Sequence, residues 1–257
     1  MIHILISGVN GRLGQTLVTS IQNAEDMAVA AGVDIRPDAF SNDFPVYADF
    51  SSVKEAADVI IDFSRPDALP GLLAYASEHN IPAVLTTTGY TDTDKMMIAK
   101  YAGHIPLFYS ANMSLGVNLQ IELAKRAAEI LADSFDIEIV EKHHNQKVDS
   151  PSGTALAIAE GINSVLGGSR EFVFGRHSRN GKRAENEIGI HAVRGGTVTG
   201  EHDILFFGPD EVLEINHRAH SKQVFTEGAV RAARFIYKKD PALYSMTDLF
   251  RDIFQKI

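Results

Sequence analysis

At 257 residues and 28.0 kDa, with 45% hydrophobic and 22% charged residues, the chain can bury a full core, and one large domain or two modest ones are expected. It has no Cys, which excludes disulfides, thiolate metal sites and a cysteine nucleophile. Its formal net charge of -9 argues against sequence-independent nucleic-acid binding, and no apolar run approaches the roughly 20 residues that span a bilayer, so a soluble, cytoplasmic protein with no nucleic-acid or membrane partner is expected.

The first forty residues read as strand, glycine turn, helix and strand. Ile2 to Ile6 is β-branched and apolar, Gly8 to Gly14 punctuates it, Leu17, Val18 and Ile21 recur at helical spacing, and Ala28 to Val33 gives a second apolar run that ends at Asp34. No positively charged leader precedes this βαβ unit, and a signal peptide could not be removed without destroying it. The alternation continues with strands over Val59 to Phe63, Ala83 to Leu85 and Leu107 to Tyr109. Helices are predicted between them, over Ala68 to His79 and Asp92 to Ala102. Such alternation implies a Rossmann-like, doubly wound parallel sheet in an α/β domain.

After Asn112 the pattern changes. A long helix from Val117 to Ala132 leads into an alternating strand, Asp136 to Glu141, then a polar loop and a helix from Thr154 to Leu166. Glu187 to Val193, Thr197 to Phe207 and Val212 to Asn216 follow as strands without intervening helices, which suits a C-terminal α+β domain with a mixed or antiparallel sheet. The helical tail from Thr226 to Tyr237 is expected to return to the first domain. The expected division is 1–113 with 223–257, and 114–222.

Gly8-Val9-Asn10-Gly11-Arg12-Leu13-Gly14 spells G-x-x-G-x-x-G directly between a strand and a helix. Glycines at these places tighten the turn and bring backbone N–H groups to a pyrophosphate, which the helix N-terminus favours. Asp34, twenty residues past Gly14, stands where an acid can accept hydrogen bonds from a ribose. A glycine turn built for packing alone would carry the same letters; the spacing, the flanking elements and the acid agree on a dinucleotide.

The second informative stretch is Glu141-Lys142-His143-His144-Asn145-Gln146-Lys147-Val148-Asp149-Ser150-Pro151-Ser152-Gly153-Thr154-Ala155. It puts two imidazoles and two ammonium groups after a strand and just before a helix start. Ser152 and Thr154 are candidate caps of that helix, and its first N–H groups, which have no intrahelical partner, also form a carboxylate site. A solvated loop is the plain alternative. A metal site is the weaker one, since no third ligand with suitable spacing is evident.

This stretch resembles the E-x-H-H-x-x-K-x-D-x-P-S-G-T-A signature of the dihydrodipicolinate reductase family, and the likeness runs along the whole chain. Gly8 to Gly14 is similar to the family's cofactor loop, Asp62-Phe63-Ser64-Arg65-Pro66 to the end of its third strand, Thr87-Thr88-Gly89 to its T-T-G turn, and Ala111 to Asn118 to its inter-domain hinge. Arg194 to His202 resembles a later family stretch.

The resemblance implies reduction of 4-hydroxy-tetrahydrodipicolinate to tetrahydrodipicolinate with loss of water, in lysine and diaminopimelate biosynthesis, by a homotetramer. It implies His143 as acid/base residue and Lys147 as proton donor or charge stabiliser. His144, Lys147, Ser152, Gly153 and Thr154 would bind the dicarboxylate. The cofactor would lie on Gly8, Asn10, Gly11, Arg12, Leu13, Gly14, Asp34, Thr86 and Asn112, with Phe63, Arg65, Thr87, Thr88, Ala111 and Met113 on the nicotinamide side. Gln146, Ser150, Thr86, Met113 and Ile35 depart from the family's usual residues, and none of these changes removes a group that the chemistry needs. Because Ile35 stands where related sequences often carry a phosphate-binding arginine, use of both NADH and NADPH is expected, with a modest preference for NADH. A non-catalytic dinucleotide sensor, or a related-fold enzyme acting on a semialdehyde or hydroxy acid, are the other readings.

Overall fold

The computed structural model describes residues 1–177, 179 and 181–255. Positions 178 and 180 of the range expected for the second domain, and 256 and 257 of the first, lie outside the described residues. The chain divides into two compact units, Met1–Ser114 with Lys222–Ile257, and Leu115–Ser221.

The first unit begins β1 (Ile2–Ser7), α1 (Arg12–Gln22), β2 (Met27–Val33), β3 (Val46–Tyr47), β4 (Val59–Asp62), α2 (Leu69–Glu78), β5 (Ala83–Leu85), α3 (Asp92–Ala102) and β6 (Leu107–Tyr109). In the second unit come α4 (Leu115–Leu131), β7 (Asp136–His143), α5 (Gly153–Val165), β8 (Glu171–Phe174), β9 (Glu187–Arg194), β10 (Gly200–Phe207) and β11 (Val212–Ala219). The chain then returns to the first unit with α6 (Gln223–Ile236), β12 (Leu243–Tyr244) and α7 (Met246–Phe254).

The first sheet runs β12-β6-β5-β4-β1-β2-β3, with every pairing parallel. Strands β4 and β5 carry unbroken apolar runs such as Val59-Ile60-Ile61, and β1 the run Ile4-Leu5-Ile6, because both faces of the sheet are covered there. The chain goes one way from β1 to β2 and β3, and the other way from β1 to β4, so the switch point lies at the ends Ser7 and Asp62. Helix α6 packs on α1, where Ser20 and Thr226 share a buried hydrogen bond of 2.8 Å.

The second sheet runs β11-β10-β7-β9-β8 and is mixed: β10 pairs antiparallel with β11 and β7, while β7–β9 and β9–β8 are parallel. Helices α4 and α5 cover one face with a layer of Ala124, Ala128, Ala155, Ile158, Ala159 and Ile162. Although β9 and β10 are consecutive in sequence, β7 lies between them, so their connection is a crossover and not a hairpin.

Several expected boundaries move. Helix α5 starts at Gly153 with Ser152 as its cap, so Thr154 lies inside the first turn and is not the cap. Strand β10 begins at Gly200 and not Thr197, because Gly195 and Asn145 tie the preceding loop to the chain around His143 and Gly196. Helix α6 begins three residues before Thr226. The short strands β3, β8 and β12 and helix α7 were not predicted. Two- and four-residue strands carry too little periodicity to announce themselves. Among the described residues no helix is long and apolar enough to cross a membrane.

Candidate active site

In the first unit the glycine loop joins β1 to α1. Gly8 has φ of +76°, which favours glycine, and a Cβ on Gly14 would run into the carbonyl oxygens of Gly8 and Val9. The loop therefore closes tightly on itself and presents the start of α1. Asp34 follows β2, and its carboxylate accepts the Asn10 N–H at 3.0 Å and the Arg36 N–H at 2.9 Å. Asn10 is buried, and its side chain donates to the carbonyls of Arg36 and Pro37. It stitches the glycine loop to the β2 end.

Two cavities lie over the carboxyl ends of these strands. One, of about 580 Å³, is walled by Gly8 and Gly11, by Asp34 to Arg36, and by Phe63 and Arg65. The other, of about 270 Å³, is formed by Leu13, the threonines Thr86 to Thr88, Ala111, Met113 and Phe225. Phe63 and Ser64 line both, so the pair form one elongated trough across the switch point. The structure thus gathers most of the predicted cofactor residues. Asn10, Arg12, Gly14 and Asn112 are not on the cavity walls. Arg65 is exposed and makes an ion pair of 3.5 Å with Asp67.

The trough floor is held by a carboxylate whose role the sequence reading did not assign. Asp62 is 1% exposed, and its Oδ1 accepts from the Ser64 N–H (3.2 Å) and hydroxyl (2.5 Å). Its Oδ2 accepts from the hydroxyls of Thr87 (2.7 Å) and Tyr90 (3.3 Å), and Thr86 donates to its carbonyl. Burial and the Asp62 charge push the Tyr90 phenol up, so it remains a neutral donor. Thr86 and Thr87 are thereby fixed as part of the wall. Phe225, from the first turn of α6, was also missed, because only the return of the C-terminal segment brings it there.

In the second unit the register of three strands builds a separate polar cluster. On the face covered by α4 and α5, Ile137, Ile188 and Phe206 form one cross-strand row, and Ile139, Ile190 and Ile204 the next. The same face then turns polar: Glu141 lies beside Ala192 and His202, and His143 beside Arg194 on β9. Glu141 is fully buried, and its Oε2 lies 2.6 Å from Nδ1 of His143. Arg194 donates to both its oxygens at 2.7 Å each, and the Ser152 N–H donates to Oε1 at 2.9 Å. Burial alone would raise its pKa, but the Arg194 and His143 hydrogen bonds outweigh this and hold it below the usual carboxylate range.

Ser152 caps α5 by accepting the Ala155 N–H at 3.1 Å, and its Oγ lies 3.0 Å from Nε2 of His202. The His143 and His202 rings meet edge to face, with centroids 5.2 Å apart. Burial pushes the His143 imidazole down, against the pull of Glu141. Lys147 pairs with Asp149 at 2.7 Å, and its N–H donates to the His144 carbonyl. His144 in turn donates its N–H to Val198, so the loop from 143 to 149 is tied to the loop before β10. The structure brings His143, Ser152 and the start of α5 at Gly153 and Thr154 together around Glu141. Arg194 and His202 were missed as site residues. Their signal was a polar residue at an inward position of a strand whose other inward positions are apolar.

A tight glycine loop, an acid at the β2 end and a trough at the switch point are the features of a Rossmann-type dinucleotide-binding domain, as found in oxidoreductases. The family model described as "Dihydrodipicolinate reductase, N-terminus" matches residues 2–113, and that described as "Dihydrodipicolinate reductase, C-terminus" matches 116–250. The chain belongs to the dihydrodipicolinate reductase family, whose members are NAD(P)H-dependent oxidoreductases. Among its relatives, a 4-hydroxy-tetrahydrodipicolinate reductase of Caldanaerobacter subterraneus subsp. tengcongensis is 50% identical over 98% of this chain and 99% of that one. One of Clostridium novyi is 42% identical over 98% and 99%. A dipicolinate-bound dihydrodipicolinate reductase from Paenisporosarcina sp. TG-14 superposes with a TM-score of 0.80 at 26% identity, covering 95% of this chain and 97% of that one.

One prediction follows from His202. Burial, then the neighbouring His143, pushes its imidazole down to about 4, below the ordinary value of 6.5. The unfolded chain therefore binds the extra proton, so the stability is full above about pH 6.5 and is lost as pH falls toward about 4. His143 and His217, both pushed down by burial, act in the same direction. In urea titrations His202 alone should remove about 2 kcal/mol between pH 7 and pH 5. His202→Leu should flatten that slope; an unchanged slope would contradict the assignment.

Proposed function

We propose that this chain reduces 4-hydroxy-tetrahydrodipicolinate to tetrahydrodipicolinate with loss of water, in lysine and diaminopimelate biosynthesis. The observation that carries the reading is the polar end of the second sheet, where the His143 imidazole, the Lys147 ammonium group and the N-terminus of α5 adjoin in a chain of this family. The dinucleotide belongs to Met1–Ser114 with Lys222–Ile257, and the substrate to Leu115–Ser221.

The trough fits the cofactor on this structure's own terms. A side chain at Gly14 would fill the space where the glycine loop closes, and Asp34 keeps its carboxylate on the wall while anchored by two N–H groups. Gly8, Gly11 and the start of α1 would hold the pyrophosphate, and Asp34 the ribose. Leu13, Phe63, Thr86, Thr87, Thr88, Ala111 and Met113 would surround the nicotinamide, with Asn10 and Asn112 supporting their loops. When bound, the reduced cofactor supplies a hydride.

The protein supplies the rest. His144, Lys147 and the N–H groups of Gly153 and Thr154, with the Ser152 hydroxyl, hold the carboxylates. Loss of the 4-hydroxyl and a neighbouring ring proton as water gives a conjugated imine; hydride addition to it leaves an enamine-like electron distribution that needs a proton, and His143 delivers or relays that proton. Lys147 offsets the developing negative charge. For this Lys147 must exchange Asp149, its partner here, for substrate. The face of the second sheet away from α4 and α5 carries Val140, Val193, Leu205 and Phe207, and we assign it to assembly of a homotetramer.

His143→Gln and Lys147→Ala should each lower kcat by about 10²–10⁴-fold while leaving cofactor affinity nearly unchanged. Steady-state kinetics and cofactor titration check this, and near-native kcat in either variant would remove the assigned role. Cofactor choice rests on opposed charges. Asp34 favours a free ribose diol and repels a 2′-phosphate, while Arg36 on the same wall attracts one. Both cofactors should work, with kcat/KM for NADH higher by no more than about tenfold. A clear preference for NADPH in side-by-side assays would show that Arg36 outweighs Asp34.

A further inference from the structure

We infer that Glu141, clamped by Arg194, is a positioning residue that fixes the tautomer and orientation of the His143 ring and ties them to the start of α5. The inference rests on the reading of His143 as the proton carrier, and it adds two residues to which that reading gives no task.

Glu141 has no exposed surface, and each of its oxygens is doubly engaged: Oε1 by Ser152 N–H and Arg194, Oε2 by His143 and Arg194. An ionised carboxylate only accepts, so the 2.6 Å contact requires the proton on Nδ1 of His143. Nε2 is then the nitrogen left to exchange protons. The strand register keeps it clear. Gly200, the first residue of β10, packs against the His143 ring, and a Cβ there would stand 3.0 Å from Nε2. The same carboxylate receives the N–H of the α5 cap, so one buried group sets both the proton-carrying nitrogen and the helix start proposed for the substrate carboxylate. The guanidinium neutralises it in a two-pronged pairing that only arginine provides. Arg194 is held in turn by the Asp149 and Val193 carbonyls.

Glu141→Gln tests this with almost no change of volume. The amide oxygen can keep the Ser152 N–H, which turns the NH₂ toward His143, and an NH₂ donates where the carboxylate accepted. In histidine-labelled protein at about pH 8, where imidazoles are neutral, ¹⁵N spectra report the tautomer, with His143 assigned by its loss in His143→Gln. The expected result is Nδ1–H in the wild type and Nε2–H in Glu141→Gln, with kcat lower by about 10²-fold or more and KM changed less. Wild-type His143 found mainly as Nε2–H would overturn the inference, as would a Glu141→Gln protein with unchanged tautomer and kcat. If Glu141→Gln does not fold, the wild-type spectrum still decides. Arg194→Lys adds to it, since it keeps the charge and should retain Nδ1–H. Reversal of the tautomer with kcat unmoved would remove His143 from the reaction while leaving the hold of Glu141 on its ring established, so the two readings fail separately.

Discussion

A carboxylate without exposed surface, Glu141, organises the polar end of the second unit. A buried charge is tolerated only when it is paired and its lone pairs are filled, and a partly satisfied network is worse than an apolar one. Arg194, His143 and the Ser152 N–H meet that demand here, and in doing so bring β7, β9 and the start of α5 to one point. The arrangement depends on strand register: a slip of one residue would send Glu141 and His143 to the opposite face and put Glu138 and Lys142 against α5. The isoleucine rows behind them hold the register, so the apolar core and the chemistry are successive rows of one face.

The first unit uses the same device in a smaller form. Asp62, also buried at a strand end, gathers Ser64, Thr86, Thr87 and Tyr90 and so shapes the loops after β4 and β5. With the glycine loop on one side and α6 on the other, it gives a trough whose walls come from distant parts of the chain. In both units a carboxylate positions groups that face the cavity or the proposed substrate, and it is not itself on display.

Much of this was legible in the sequence. The βαβ grammar, the glycine loop with Asp34 at its distance, and the change of pattern after Asn112 all express local periodicity and turn chemistry, which a linear reading captures. The His143–Lys147 stretch was visible as a dense polar loop, and its resemblance to one family gave it roles. The partners were hidden. Arg194 and His202 are far from His143 in sequence and meet it only because β7 inserts between β9 and β10. Phe225 reaches the trough only because the chain returns after the second unit. Strands β3 and β12, two residues each, exist through pairing at the sheet edges and not through any pattern of their own.

The account requires that the dinucleotide trough and the Glu141-centred site serve one reduction of a cyclic dicarboxylate. The most direct measurement is the absorbance of reduced cofactor after addition of enzymatically generated 4-hydroxy-tetrahydrodipicolinate to the purified wild-type protein, with pyridine-2,6-dicarboxylate as competitor. The account predicts a stoichiometric loss of reduced cofactor that the aromatic dicarboxylate inhibits competitively with substrate. Cofactor binding without turnover, or turnover indifferent to the dicarboxylate, would contradict it.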